Sequence, residues 1–335
     1  MRWPWLLADR GILGVVATVT VIGVAAMVAM LLIAAGVAEA ADRAGLRIEA
    51  IKYGLGFFAA AGAAAALLLG VRRQRLSEHS HELELRKQKH TETDAKERRV
   101  NELYTKAVEQ LGSGDAAVRL GGLYALERVA QHNVDHRQTV VNVICAYLRM
   151  PYTLPQTPAP ADAAVGRDPR QELEVRLTAQ KVISSHLVPA DPQTFWPDVD
   201  LNLAGAVLID WRFAGRLVRN AQFKGATFSG DTGFGSATFA GEVWFEDARF
   251  SGPAQFGDAV FRDGARFDGA TFDGDVRFEK TTFVGDAQFN NVTFARPPAL
   301  EDAVVVVRDG RGDVWPPDWR LVHQGAGQKL TRASG

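Results

Sequence analysis

The fold of this chain is decided by residues 221–294, which read AQFKGATFSGDTGFGSATFAGEVWFEDARFSGPAQFGDAVFRDGARFDGATFDGDVRFEKTTFVGDAQFNNVTF. A phenylalanine recurs at spacings that alternate between five and six residues, at Phe223, Phe228, Phe234, Phe239, Phe245, Phe250, Phe256, Phe261, Phe267, Phe272, Phe278, Phe283, Phe289 and Phe294. A short period sustained over such a length predicts a solenoid, in which each unit packs on the next around one continuous core.

A second periodicity indicates which side of the backbone faces the core. Two residues before each phenylalanine lies a small or β-branched residue, such as Ala226, Ala237 or Val243. Side chains two apart in a strand point to the same side, so both kinds of residue are expected to face inward. The glycines and short polar residues that follow many of the phenylalanines suit a turn after every unit.

These units resemble the pentapeptide-repeat family, in which a small residue precedes a central leucine or phenylalanine by two positions. The resemblance covers about residues 200–294, and we assign residues 198–296 to the repeat domain. It implies an all-β solenoid, a right-handed quadrilateral β-helix with four units to a coil. The first coil is irregular, because its central positions hold Leu203, Leu208, Phe213 and Val218.

The alternation of five and six residues adds up to 22 residues per coil, with an extra residue at two opposite corners. The extra residues stack in two columns, which hold Asp231, Pro253 and Asp275, and Glu242, Gly264 and Asp286. An inserted residue normally leaves the hydrogen-bond ladder and kinks the strand. We therefore expect two bulged, partly acidic corners.

The residue before each phenylalanine is expected to face outward, and the 22-residue coil sorts these residues into four faces. The faces carry Thr227, Arg249, Thr271 and Thr293; Thr238, Val260 and Thr282; Gly233, Gln255 and Arg277; and Trp244, Arg266 and Gln288. Trp244 is a large aromatic residue on an outer face, and Arg266, one coil away, is placed to stack on it. The face of Trp244, Arg266 and Gln288 is the candidate partner-binding face, and a lone surface tryptophan is the alternative.

The N-terminal part of the chain predicts a membrane anchor, which we assign to residues 1–71. Residues 11–38 carry no charge, and residues 51–71 hold a second apolar run. Each is long enough to cross a bilayer, which takes roughly 20 apolar residues. Two spans place both termini on one side, and the arginines that follow the second span favour the cytoplasm. A cleaved signal peptide ending near Ala38-Glu39-Ala40 is the alternative for the first span.

Residues 72–111 carry many charges and no proline, and glycine first appears at Gly112, so they predict one long linker helix. Leu76 and Leu83 begin a heptad, but His90 and Glu97 hold the next positions of the series. A stable coiled coil needs apolar residues at these sites. A solvated spacer is the preferred interpretation, and weak dimerisation is the alternative. In the second span, Gly62, Ala66 and Gly70 form a small-residue seam along which helices could approach.

Residues 112–150 predict a small helical module, similar to modules that precede the repeats in actinobacterial membrane proteins. Two apolar stripes support it, formed by Val118, Leu120, Leu123, Leu126, Val129 and Ala130, and by Val140, Val143, Ile144 and Leu148. His132, Asp135 and His136 flank the turn between them, and we interpret them as a hydrated loop rather than a metal site. Cys145 is expected to be a core residue.

The solenoid needs a cover at each end, because a terminal coil has an unpaired edge. We assign residues 151–197 to a proline-rich linker and an N-terminal capping helix, which begins near Glu172. Residues 297–335 form the C-terminal cap and tail, with a strand in residues 303–307 and with Trp315 and Trp319 over the core. The adhesion tripeptide at residues 311–313 is interpreted as a chance match.

Composition limits the function. The 38 basic and 39 acidic residues nearly balance, and the single cysteine leaves no intramolecular disulfide. No cluster of polar residues predicts catalysis, a cofactor or a metal. We expect a membrane-anchored, non-enzymatic interaction scaffold at the cytoplasmic face, with the lipid bilayer and an unidentified protein as partners, without nucleic acid, and with a homodimer as an option.

The resemblance also implies an alternative, because some pentapeptide-repeat proteins mimic duplex DNA and inhibit type II topoisomerases. Such mimicry needs a strongly acidic surface in place of the phosphates. Residues 200–296 hold 13 acidic and 10 basic residues, a net charge of −3. The charge balance therefore favours the scaffold.

Overall fold

The computed structural model describes residues 9–36, 40–155, 168–317, 319–324 and 327–332. The chain divides into two compact units, Met1–Glu97 and Arg98–Gly335. The first holds apolar helices, and the second holds a helical module followed by a β-solenoid of about five turns. This order of a helical region and then a solenoid confirms the predicted fold class.

The first unit contains α1 (Asp9–Gly36) and most of α2 (Ala40–Leu111). Val16–Ile33 and Arg47–Val71 are long and apolar enough to cross a membrane. Helix α2 continues without interruption from the second apolar run into the charged stretch, so the predicted anchor and linker share one helix. The cleavage site of the signal-peptide alternative includes residues 38 and 39, and the predicted proline-rich linker lies largely in residues 156–167. These residues lie outside the described part of the chain.

Helices α1 and α2 pack at two glycines. A Cβ added to Gly54 would lie 2.8 Å from the sulfur of Met27, and one added to Gly23 would lie 3.4 Å from Phe57. By contrast, a Cβ added at Gly62 or Gly70 would meet no atom within 4 Å. The seam predicted from Gly62, Ala66 and Gly70 therefore does not form this helix contact, which uses glycines nearer the connection between the helices.

The helical module of the second unit combines the end of α2 with three further helices. These are α3 (Ala116–His132), α4 (Arg137–Leu148) and α5 (Pro169–Ser185), with a short 3-10 helix, Val134–His136, between α3 and α4. Asp115 caps α3 by accepting from the amide of Ala117 at 2.8 Å. Val100, Ala107 and Leu111 are buried, so the last turns of α2 belong to this core rather than to a solvated spacer.

The charged side chains that are described along the charged stretch of α2 form no ion pairs with one another. Glu92 accepts a hydrogen bond from Gln88 at 3.0 Å, instead of pairing with Lys96. The heptad residues Leu76 and Leu83 lie outside the described side chains, so the coiled-coil alternative stays a prediction.

The solenoid consists of short parallel strands. They are β1 (Leu201–Asn202), β2 (Val207–Ile209), β3 (Leu217–Val218), β4 (Ala221–Gln222), β5 (Thr227–Ser229), β6 (Thr232–Gly233), β7 (Thr238–Phe239), β8 (Val243–Trp244), β9 (Arg249–Phe250), β10 (Ala254–Gln255), β11 (Val260–Phe261), β12 (Ala265–Arg266), β13 (Thr271–Phe272), β14 (Val276–Arg277), β15 (Thr282–Phe283), β16 (Ala287–Gln288), β17 (Thr293–Phe294) and β18 (Val304–Val305). An antiparallel hairpin follows, formed by β19 (Trp319–Gln324) and β20 (Gly327–Arg332).

The strands stack into four sheets, which the chain visits in turn in every coil. Sheet I has the order β1-β4-β8-β12-β16, sheet II β2-β5-β9-β13-β17, sheet III β6-β10-β14, and sheet IV β3-β7-β11-β15-β18-β20-β19. Register in sheet I pairs Ala221 with Val243, Val243 with Ala265, and Ala265 with Ala287. Each partner lies one predicted coil further along the chain, so the coil length expected from the phenylalanine spacing is confirmed.

The first coil is shorter than the others. Leu201 pairs with Ala221 and Leu217 pairs with Thr238, so these steps fall short of the regular coil by two positions and by one. The irregular first coil expected from the sequence is thus a coil in which the extra corner residues have not yet appeared.

Phenylalanine rings fill the core in stacked columns, one for each sheet. Phe228 and Phe250 lie 4.5 Å apart between ring centroids, with an interplanar angle of 1°. This distance is close to the strand spacing, so the rings stack at the repeat of the backbone. Rings of neighbouring columns meet edge to face, as Phe256 does with Phe267 at 87°. The phenylalanines of this stretch are buried except Phe294, which lies at the last coil and is partly exposed.

The four corners of a coil are of two kinds. After every second phenylalanine the chain makes a tight turn whose third residue has a positive φ, as in Phe223–Ala226 with Gly225 at 63°. The amide of Ala226 donates to the carbonyl of Phe223 at 2.9 Å, as in a type II turn. Such residues recur at every second corner, at Gly225, Ser236, Asp247, Asp258, Gly269, Lys280, Asn291 and Asp302.

The remaining corners hold the extra residues. These residues leave the backbone ladder only in part: the carbonyl of Glu242 accepts from Ala221 at 3.1 Å, whereas the amides of Asp231 and Glu242 donate to the side chains of Asp210 and Asn220, each at 3.1 Å. The corners also pack by close backbone contact. A Cβ added to Gly252 would lie 2.4 Å from the carbonyl oxygen of Gly230, so glycine is required there.

Side-chain amides cover the N-terminal edge of the solenoid. Gln138 of α4 exchanges hydrogen bonds with the backbone of Asp200, at 2.8 and 2.9 Å. Gln180 of α5 does the same with Ile209, at 2.7 and 2.9 Å. The helices predicted to precede the repeats thus satisfy backbone groups that the first coil would leave unpaired.

At the other end, Trp315 contacts the rings of Phe283 and Phe289, and Trp319 is buried. The tripeptide at residues 311–313 is part of this cover. Arg311 binds Asp313 and donates to the carbonyls of Val284 and Gly285 at 2.8 and 2.6 Å. Its charged side chains are therefore used within the fold.

Candidate functional site

The candidate partner-binding face is the outer surface of sheet I. Trp244 pairs in register with Arg266, and Arg266 with Gln288, as the sequence predicts. Gln222 precedes Trp244 in the same column. The four side chains therefore form one line along the solenoid, because parallel in-register strands place equivalent side chains above one another.

Trp244 and Arg266 differ in accessibility. Arg266 is exposed, whereas Trp244 is half-buried against the sheet. The expected stacking of Arg266 on Trp244 is not among the cation–π contacts of the described residues. The described salt bridges also leave Arg266 without a carboxylate partner, although Arg249 and Lys224 have one each. Sheet I thus presents an indole beside a guanidinium that has no acidic partner within the described chain.

Gln288, the third residue of the predicted face, contacts the C-terminal segment. Its side-chain amide donates to the carbonyl of Gly312, and its backbone pairs with Val314. The amide of Asn290 also donates to its Oε1 at 3.1 Å. The C-terminal segment therefore covers this end of sheet I, and the open part of the face is Gln222, Trp244 and Arg266.

A buried charge cluster in the helical module escaped the sequence analysis. Glu172 of α5 binds Arg176 at 3.0 Å and Arg119 of α3 at 3.2 Å, and it accepts from the hydroxyl of Tyr147 at 2.8 Å. Burial and this hydrogen bond to Glu172 raise the pKa of Tyr147 to about 12. The cluster joins three helices, and its members look like ordinary surface charges in the sequence.

A second polar contact lies where the module meets the first coil. His186 stacks on Trp196 with ring centroids 3.9 Å apart, and its two ring nitrogens lie 2.8 Å from Glu127 and 2.7 Å from the carbonyl of Thr194. The indole of Trp196 donates to Gln131 at 2.8 Å. These contacts fix the segment that leads from α5 into the solenoid.

His132 and Cys145, considered above for metal binding and for packing, contact other parts of the helical module. His132 Nδ1 lies 2.8 Å from the carbonyl of Arg128, and no metal-ligand cluster is found among the described residues. Cys145 is buried in the module core, and burial raises the pKa of its thiol to about 12. A cleft of about 560 Å³ opens beside α3, with Leu103, Tyr124 and Arg128 in its wall.

The fold defines a β-solenoid built from short repeats, with an outer surface made of four ladders of side chains. A family model described as pentapeptide repeats (9 copies) matches residues 216–260 and 256–304. Residues 216–304 are therefore similar to pentapeptide repeats, and the helical module precedes the solenoid that contains them. No curated protein and no solved structure matches the chain.

Proposed function

We propose that the protein is a membrane-anchored, non-enzymatic scaffold that presents its solenoid to a protein partner at the cytoplasmic face of the membrane. The observation that carries the proposal is the open part of sheet I, where Trp244 and Arg266 lie in register on a rigid support. Tryptophan and arginine are the residues most enriched at sites that dominate binding energy between proteins. The family's fold is of a kind used for protein interaction, and the two apolar helices supply the anchor.

The binding face is tested with the double variant Trp244→Ala and Arg266→Ala in the full chain. A photocrosslinker at the exposed Gln222 is used to capture partners from membranes. We expect the recovery of a specific partner to fall at least tenfold, because a central hot-spot residue contributes about 2 kcal/mol or more. The matched control is Gln255→Ala with Arg277→Ala, which removes an equivalent in-register pair from sheet III. Equal recovery from both double variants would refute the proposed face.

The location is tested separately. A cysteine introduced at the exposed Ser251 is treated with a membrane-impermeant maleimide on intact cells, and the native Cys145 is buried and reacts little. Labelling that requires permeabilised cells supports the cytoplasmic orientation. Labelling of intact cells would place the solenoid outside and reject that part of the proposal.

The alternative, a DNA-mimicking inhibitor of a type II topoisomerase, has weaker support. The acidic surface of the solenoid is interrupted by basic side chains that form ion pairs with the acidic ones. Arg296 pairs with Asp275 at 2.6 Å, and Lys224 pairs with Glu246 at 3.0 Å. Inhibition of DNA supercoiling by the purified full chain at micromolar concentration would favour this alternative over the scaffold.

A further inference from the structure

A cleft of about 430 Å³ lies between α5 and the first coil of the solenoid. Its wall includes Lys181 of α5, and Asp210, Trp211, Arg212 and Arg216 of the coil. The residues proposed above for partner binding are not part of this wall. The cleft is therefore a distinct candidate for a binding site.

The cleft has an excess of positive charge. Three of its side chains are cations, and the carboxylate of Asp210 is held by the backbone, since it accepts from the amide of Asp231 at 3.1 Å. Basic residues elsewhere on the solenoid commonly have acidic partners, as Arg219 has Asp200 and Arg249 has Asp273. The described salt bridges provide no such partner for the three cations of the cleft.

Arg216 is the most constrained of these cations. It is half-buried, and its guanidinium donates to the carbonyls of Ser184, at 3.3 Å, and Ala214. Burial lowers the pKa of this guanidinium. Removing a charge from water without a counter-ion is costly, so an anion that entered the cleft would find a cation already partly dehydrated.

The remaining wall supplies an apolar surface and an unused donor. Leu177 and Ile209 line the cleft beside Trp211, which is 1% exposed. The Nε1 of Trp211 has no hydrogen-bond partner among the described residues, although buried indole groups usually find one. Gln180 fixes the wall by two hydrogen bonds to Ile209.

We propose that this cleft binds a phosphomonoester on a small organic group. Its three cations and one carboxylate give a net charge of +2, and a phosphomonoester carries about −1.5 to −2 charges near pH 7. A carboxylate would balance only half of this excess. The volume falls within the range of small-molecule sites, about 300–1,000 Å³, and the apolar wall suits the organic part.

The proposal is tested with the full chain in nanodiscs of phosphatidylcholine, using phenyl phosphate as the probe in calorimetric titrations. We expect saturable binding at one site per chain. The double variant Lys181→Gln and Arg212→Gln should weaken binding at least tenfold, because two charge-assisted hydrogen bonds to the phosphate are lost. Neither side chain has a described intramolecular partner, so the melting temperature should not change.

The matched control is Arg277→Gln. Arg277 is aligned with Arg212 on sheet III through Gly233 and Gln255, but it lies away from the cleft. The Arg277→Gln variant should bind phenyl phosphate with the affinity of the wild type. The double variant Trp244→Ala and Arg266→Ala should also bind it with wild-type affinity, which separates this site from the proposed function. Equal weakening by Arg277→Gln, equal affinity for phenol, or no saturable binding up to millimolar phenyl phosphate would each overturn the proposal.

A further arm distinguishes the source of the phosphate. Phosphatidic acid is added to the nanodiscs, because its headgroup is also a phosphomonoester. Competition with phenyl phosphate would assign the ligand to the lipid, whereas unchanged titrations would assign it to a soluble metabolite.

Discussion

The solenoid and the helical module build their cores in opposite ways. The solenoid stacks uncharged rings in columns, so each contact is repeated one coil further on and supports only its neighbours. The module concentrates ionic contacts at one point, where Glu172 lies between Arg119 and Arg176. A single substitution should therefore have the larger effect in the module, because the solenoid shares its stability among similar units.

The largest expected effect follows Glu172→Gln. The variant leaves two buried arginines without a counter-charge, which should reduce the free energy of unfolding by about 3–5 kcal/mol. Denaturant unfolding of the module, followed by circular dichroism, provides the measurement. The control is Glu174→Gln on the exposed side of the same helix, where we expect a change below about 0.5 kcal/mol. Similar losses in both variants would show that the cluster is not the origin of the stability.

A smaller effect is expected from Gly252→Ala at a corner of the solenoid. The added methyl group would overlap the carbonyl oxygen of Gly230, and relief of such overpacking costs about 1–3 kcal/mol. Gly264→Ala is the matched control, since its Cβ would lie 3.8 Å from Glu242, an ordinary contact. Thermal unfolding should separate the two variants. If Gly264→Ala destabilised the protein as much, backbone contact at the Gly252 corner would not be the cause.

The smallest effect concerns pH. The pKa of Tyr147 is raised from 10.0 to about 12, so the unfolded chain releases this proton before the folded protein does. The stability from this tyrosine is complete below pH 10 and is lost as the pH rises to 12, by on the order of 1–2 kcal/mol. Tyr147→Phe should flatten the fall in unfolding free energy between pH 10 and 12 relative to wild type. Parallel curves for the two proteins would contradict this assignment.

The periodic part of the fold was predictable because the same residue pattern recurs in every coil. The spacing of phenylalanines gave the coil length, the inward residues and the register of Trp244 with Arg266. The corners were predicted only in part: the amides of Asp231 and Glu242 leave the backbone ladder, but the carbonyls of Glu242 and Pro253 stay in it, and the close backbone contact between Gly230 and Gly252 left no signal in the spacing.

The aperiodic parts were harder to predict for a physical reason. Most of the stripe that begins at Val118 is buried as predicted, but Val118 itself is exposed, and its neighbour Arg119 is buried with its charge balanced by Glu172. Hydrophobic periodicity does not detect a charge that is buried with its partner 53 positions away. For the same reason, the cleft near Lys181 and Arg212 left no signal in the sequence, since α5 and the first coil supply its cations separately.

The positive-φ turns have a consequence for how such a chain can change length. They recur at every second corner, so one half of a coil is equivalent in backbone geometry to the other half. Duplicating half a coil would preserve each turn, but everything beyond the insertion would exchange sheet I with sheet III and sheet II with sheet IV. Duplicating a whole coil would restore every alignment and separate two side chains of one column by one further strand spacing, about 4.8 Å. One duplication of a half coil therefore changes the face on which a surface residue lies, and two such duplications change its distance along the solenoid.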